Sequence, residues 1–508
     1  MVQLIFYRFY EVIFGRGRWT IYQMIDHFTS SYVLKEPKGC RVWRAESVNK
    51  ANQTATQKAQ ADHWFAWQIL NGLTRNLIRR ATEIPKQFVP FVELVEADHP
   101  YLNGLSLKQH IQNDTLFVVD LVDVSFDEAT LLAPIALFVV NNDLLMPVAI
   151  RIDPRNPNLK EVSTPPPNES DRPEQLRKWV KARMWFNMLD AQYHESVTHL
   201  GFTHMLMDGV SVCLHRNLSE RHPIYKLMLP HFRYMHFNNE RAIKIIPKVA
   251  EKDMYFGRKN MMKLIARHNE IWTFDEHACI DINLRKRGVM DLPGYFFKED
   301  ALQLQEAIRN FVHEYVTNYY GVNQEVVKDQ EIQSFRTELM APRSISGDGG
   351  CGMMGVPEFD GIGNLVTVLT NFIYICSVEH SATNFPQYEE YAFPPNKSLT
   401  LIGQPELQTG DDELDIAMPT GRQLFLTIKF MAVSNTVLTN SLGNYESEYL
   451  DAMDSAGQRI VQNFQKKLVQ IENNINQRNE ALEKSVDRIQ EYPYHWLLPN
   501  KVLNSISA

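Results

Sequence analysis

The chain has 508 residues, enough for a large buried core, and its 44% hydrophobic and 22% charged residues are an ordinary soluble globular composition. A net charge of −8 with no basic stripe argues against a nucleic-acid interface. Five cysteines (Cys40, Cys213, Cys279, Cys351, Cys376), widely spaced and with no CxxC, exclude a disulfide framework or a zinc–thiolate site and fit a reducing, cytoplasmic compartment.

The N-terminal MVQLIFYRFYEVIF is apolar but broken by Arg8 and Glu11, too short and too charged to span a bilayer. Residues 1–60 read as an extension with three open roles: an amphipathic membrane-contact helix, a lid, or a segment packed on the core. Residues 61–508 read as one large domain, since no stretch has the look of a flexible linker. From Asp62, DHWFAWQILNGLTRNLI predicts a buried helix with aromatics on several faces. The runs TLFVVDLVDV and LLAPIALFVVNNDLLMPVAIRI predict strands, the second a β-hairpin turning at Asn141–Asn142–Asp143. STPPPNESDRPEQ (163–175) is a surface loop, because its prolines cannot continue a helix or strand. Trp179 to about His215 predicts one long helix, apolar nearly all round and so central to the domain. SISGDGGCGMMGVP (344–357) predicts a flexible loop, and NLVTVLTNFIYICSVEH a second central helix. Residues 457–490 predict a surface helix packing one face, since the heptad is not sustained.

Five histidines carry most of the information: His194, His199, His204, His222 and His231, spaced H-x4-H-x4-H-x17-H-x8-H. His199 and His204, five apart on an ordinary α-helix, would point about 140° away from each other. A local π turn, with i→i+5 bonding, brings them to nearly one face, so the spacing predicts a helix irregularity at a functional site. His380 and Asn384 (EHSATN), four apart, share a face of a regular helix. Imidazole-plus-oxygen sets without thiolate suit iron or manganese better than zinc when more than four ligands converge. HESVTH has one residue too many for the HExxH of zinc proteases, which removes the hydrolase reading. His194, His222 and His231 read as hydrogen-bonded core residues.

The spacing with its HPIYKL and PH flanks, WVKARMW before it, the LLAPIALF…LLMPVAI segment, the GVP loop, SATNF-Q and the tail RNEAL…YPYHWLLPNKVLNSISA together resemble the lipoxygenases, from about Asp62 to Ala508. The resemblance implies a mainly α fold, a large multi-helix catalytic domain around long central helices, one with a π-helical stretch, plus a small antiparallel β portion. About 60 preceding residues are too few for the N-terminal β-barrel that many members carry. It implies iron (one per chain, with manganese as a variant) held by His199, His204, His380, Asn384 and the main-chain carboxylate of Ala508. Around them it places Glu195 and Gln387 as hydrogen-bonding supports. Ala242 falls where alanine accompanies S-configured products, Arg241 where some members hold the fatty-acid carboxylate, and Gln192 where some tune pocket depth. The chain departs from the family in ending on alanine rather than isoleucine, in Ser381 and Thr383 between the ligands, and in Ile243 for an arginine. The implied reaction is hydrogen abstraction from a bis-allylic CH2 of a polyunsaturated fatty acid, followed by O2 capture to give a conjugated hydroperoxide. A hydroperoxide isomerase, a manganese variant or a catalytically weak lipid-binding member are the alternatives.

Overall fold

Asn142 and Asp143 both adopt left-handed backbone (φ 50° and 61°), as a two-residue type I′ turn requires, and they close the expected hairpin. It pairs β3 (Ile135–Asn141) with β4 (Leu144–Arg151) in a four-stranded antiparallel meander that also holds β1 (Arg79–Arg80) and β2 (Leu116–Asp120). The run that continues past β2 does not stay extended. Asp120 Oδ1 accepts the Val122 amide at 2.9 Å, and Leu121–Val124 turn into a short helix. Every residue of β2 is buried. The sheet therefore has two covered faces, which is why its strands read as apolar runs. One face meets α1 (Ala55–Asn71), where Phe65 stacks on Phe138 at 5.7 Å; the other packs against Phe88, Val95, Tyr101 and Leu107.

The computed structural model describes residues 19–30, 35–46, 55–124, 132–156, 161–167, 173–344, 349–405, 413–485 and 491–507. The apolar stretch 1–14 and Ala508 lie outside them, as do parts of the loops 163–175 and 344–357. Within the extension, helices Ile21–Ser30 and Lys38–Glu46 pack onto the large domain: Asp415 accepts the Ile21 amide at 2.6 Å, and Trp43 meets Phe393 edge-on at 6.2 Å.

The long helix begins six residues before Trp179 and ends two after His215. It runs without a break through α2 (Pro173–Tyr193), a π-helical segment π1 (His194–Met205) and α3 (Leu206–Asn217). Pro173 starts it, a position that needs no amide donor. The irregularity predicted from the histidine spacing is therefore present, twelve residues long. Against π1 and α3 lie α4 (Met235–Asp253) and α5 (Gly257–Ile271). Next come α6 (Phe296–Tyr319) and the second central helix, made of α7 (Ile362–Tyr374), a shorter π segment π2 (Ile375–Glu379) and α8 (His380–Asn384). The helical run from Ile362 to Tyr391 is, among the described residues, long and apolar enough to cross a membrane, yet 72% of its most apolar window is buried inside the protein. It is a core helix. After α9 (Gly421–Ser434), the surface helix α10 (Ser455–Lys484) buries Ile460, Phe464, Leu468, Ile471 and Ile475 at three- and four-residue steps against α6. Phe464 stacks on Phe311 at 4.6 Å. One apolar stripe on an otherwise polar helix explains its coiled-coil look.

Candidate metal centre

The two π segments bring the two central helices together at three buried histidines. His199 and His204 come from π1, and His380 opens α8; one nitrogen of each lies within 4.8 Å of the others. Hydrogen bonds fix which nitrogens face inward. Asn239 on α4 gives its Nδ2 hydrogens to the His204 carbonyl (3.1 Å) and to Asp208 (3.0 Å). Its Oδ1 therefore accepts from His204 Nδ1 at 2.7 Å, leaving a lone pair on His204 Nε2. His199 turns Nδ1 toward Glu195 Oε2 at 3.5 Å. The two Nε2 atoms then face each other at 3.2 Å with a lone pair apiece, which is repulsive unless a cation lies against both. The separation suits two imidazoles about 2.1 Å from one ion.

His380 is fully buried, and among the described residues neither of its ring nitrogens has a hydrogen-bond partner. A buried imidazole with two unsatisfied nitrogens is costly in an apo protein and reasonable for a ligand. Burial and the neighbouring histidines hold His380 well below the ordinary histidine range, and the same causes take His204 down to about 3. Both rings are thus neutral, as ligation requires. Glu195 lies fully buried behind the site, with its carboxylate 3.5 Å from Nδ1 of His199. The donor set fits a metal ion that accepts imidazole nitrogen.

Asn384 sits one turn beyond His380. Its Nδ2 donates to the Ser434 carbonyl at 2.5 Å, and its Oδ1 accepts from Gln387 Nε2 at 2.9 Å and keeps one lone pair. The chain tail is buried alongside. Ser381 Oγ accepts the Leu503 amide at 3.1 Å, Asn504 bonds Gly443 and Asn444 at 3.0 and 3.1 Å, and Ser507 Oγ meets Thr439 at 2.6 Å. Ser381, a departure from the family pattern, thus ties the tail to the residue after His380.

The other three histidines of the motif have structural partners. A carbonyl can only accept, so His194 Nε2 donates to Thr383 O (3.0 Å) and its Nδ1 takes the Tyr391 hydroxyl (2.6 Å), joining the two central helices. His222 caps the helix that begins at Pro223 and bonds Asp329 at 3.0 Å. His231 donates from Nδ1 to the Asn504 carbonyl at 2.7 Å and sits 3.2 Å from the Tyr445 hydroxyl. Gln192 fastens backbone, donating to Leu399 O at 2.7 Å and accepting from the Phe256 amide at 3.2 Å. Ala242 is half-buried against Leu200 and Ile246, while Arg241 is exposed with its guanidinium 4.7 Å from the Phe237 ring. Arg75, Asn239 and Tyr391, whose side chains brace the turns and rings of this histidine cluster, carry no signal in a single sequence.

Burial pushes His231 down to about 4. A group lowered from 6.5 to about 4 contributes stability fully above pH 6.5, and that contribution is lost as pH falls through the interval. Roughly 3 kcal/mol is expected to go between those limits, at 1.36 kcal/mol per unit. Urea unfolding of the protein and of His231→Gln at pH 7 and pH 4.5 checks it; an equal pH slope in both assigns the loss elsewhere.

Two central helices that present three buried imidazoles and a carboxamide oxygen to one point define a candidate non-haem metal centre built on helices. The sequence model described as Lipoxygenase matches residues 31–499, and the chain belongs to the lipoxygenase family. It is 29% identical over 472 residues to the mouse (Mus musculus) polyunsaturated fatty acid lipoxygenase ALOX8, covering 88% of this chain and 65% of that one. It is 28% identical to the rat (Rattus norvegicus) hydroperoxide isomerase ALOXE3, covering 90% and 64%. The fold superposes on that of a calcium-dependent 11R-lipoxygenase with a TM-score of 0.81 at 26% identity, over 98% of this chain and 71% of the other. The chain thus spans just under two thirds of the length of these curated relatives.

Proposed function

We propose that this chain is an iron dioxygenase that inserts O2 into polyunsaturated fatty acids to give conjugated hydroperoxides. The observation that carries the reading is His380, sealed in the core with both nitrogens unpartnered among the described residues, beside the facing Nε2 atoms of His199 and His204. His199, His204, His380 and Asn384 would hold the metal, with the main-chain carboxylate of Ala508 as the further oxygen donor. Bound there, iron would supply the one-electron chemistry that breaking a bis-allylic C–H bond needs. The chain's residues do the rest. Asn239 holds the His204 tautomer, Glu195 balances the charge of the site, and Gln387 orients the Asn384 amide.

The test is oxygen uptake followed together with conjugated-diene absorbance, using iron-loaded protein and linoleate in air. Matched uptake and diene formation, absent in His199→Ala, is the expected result. Consumption of added fatty-acid hydroperoxide without O2 uptake would replace the reading with an isomerase, which the likeness to ALOXE3 makes the second reading. Metal analysis of the active protein decides between iron and manganese.

A further inference from the structure

His380 and Asn384 sit on a five-residue helix, α8, and the last carbonyls of any helix have no partner within it. Here Ser381 O takes the Phe385 amide and Thr383 O takes the His194 ring. Ala382 O takes the guanidinium of Arg75, at 3.3 Å, from the loop that follows α1. Arg75 does more than cap. Its Nη2 reaches the Glu379 carboxylate at 2.8 Å, the Glu379 carbonyl at 3.3 Å and Thr383 Oγ1 at 3.1 Å. Its guanidinium lies 4.0 Å from the Phe297 ring centroid. The side chain is fully buried and lies more than 300 residues away in sequence from the helix it grips.

Two features make this more than ordinary core packing. The contacts bracket His380 on both sides, at the residue before it and at the second and third residues after it. Glu379, moreover, closes π2, where helix geometry is irregular and the direction of the next side chain is least determined by the backbone ladder. A planar fork that bonds two carbonyls, a carboxylate and a hydroxyl at once fixes the rotation of that turn as a single-point cation does not.

We propose that Arg75 is a positioning residue of the metal centre, clamping the turn that carries His380 so that its imidazole meets those of His199 and His204. The inference rests on the metal-centre reading above. Removing the fork frees the turn to rotate while leaving all three imidazoles in the chain. Loss of such an outer support costs about 10–100-fold in metal affinity.

Cobalt(II) is the probe, because its visible absorption reports ligand number and geometry without any turnover. Metal-free full-length protein is titrated with cobalt(II) for the parent, Arg75→Met, Arg75→Lys, Glu379→Gln and Arg183→Met. The last breaks a buried ion pair with Asp62 (3.2 Å) that does not touch the histidines, and it serves as the control for destabilisation alone. Arg75→Met is expected to bind about 10–100-fold more weakly with a changed spectrum. Arg75→Lys should fall between it and the parent, and Glu379→Gln, which keeps the carbonyl contacts, should keep the parent spectrum. Should Arg75→Met not fold, Arg75→Lys carries the reading against Arg183→Met. Parent-like affinity and spectrum in the Arg75 variants, or the same losses in Arg183→Met, overturns the proposal and leaves the metal centre standing. A parent that binds no cobalt overturns both.

Discussion

Replacing His380 by leucine is expected to abolish metal binding and oxygen uptake while making the metal-free protein more stable. The two effects have one cause. In the apo chain a fully buried ring presents two nitrogens that find no hydrogen-bond partner among the described residues. Each unsatisfied buried polar group costs about 1–3 kcal/mol, and a leucine of similar volume removes that cost. In the loaded protein one of those nitrogens would be taken by the metal, and losing one direct ligand of three imidazoles goes beyond the roughly 10–100-fold that an outer partner is worth. Metal content, oxygen uptake and urea unfolding of stripped parent and variant check the two signs. A variant that still holds one metal per chain, or whose stripped form unfolds more easily than the stripped parent, sinks the assignment of His380 as a ligand.

The largest loss of stability is expected from Lys397→Met. The Lys397 ammonium is fully buried between the Asp190 carboxylate at 2.7 Å and the Glu390 carboxylate at 2.8 Å. Burial works against its charge, but the two carboxylates outweigh that and raise its pKa, so it stays protonated. Methionine fills the space and leaves two carboxylates buried without a counter-ion, at a cost of about 3–5 kcal/mol. The site is expected to suffer too. Asp190 lies one turn before His194, and Glu390 precedes the Tyr391 that bonds His194. Replacing all three charges together (Lys397→Met, Asp190→Leu, Glu390→Leu) is expected to recover most of the loss, since apolar substitutes for a buried ionic cluster are often neutral. Urea midpoints of parent, single and triple variants decide it; a triple variant no better than the single would show that shape, not charge, holds this corner together.

How much was legible in advance follows from what each feature depends on. The five-residue step from His199 to His204 is a local geometric contradiction in an α-helix, so the π segment could be read from two residues alone. The hairpin was legible for the same reason, because Asn142 and Asp143 tolerate the left-handed backbone that its turn demands. The end of β2 was missed because Asp120 breaks the strand through its own side chain, against an apolar pattern that runs on. The second π segment, Ile375–Glu379, was missed because no pair of ligands straddles it. The roles of Arg75, Asn239 and Tyr391 depend on what lies opposite them after folding, and Asn239 in NNERA looks like any polar helix residue. Ser381 stood out as a departure from the family pattern, yet its use became visible only once the Leu503 amide was found on its hydroxyl.

The π segment also has a consequence for the helix as a whole. Each i→i+5 turn takes in one more residue than an α turn for nearly the same advance, so everything beyond it is turned by about 100° relative to an unbroken α-helix. π1 is therefore a change of phase built into a single rod. Upstream, Trp179 to Leu189 is enclosed on nearly every side; downstream, α3 keeps Leu206, Val210, Cys213 and Leu214 inward while Arg216 comes out to solvent. Two halves that answer to different neighbours can each keep their own angular setting, and the misfit is absorbed where the histidines stand. A change that restored straight α-helical phase would part His199 from His204 and, in the same stroke, turn every contact of α3 away from its present neighbours.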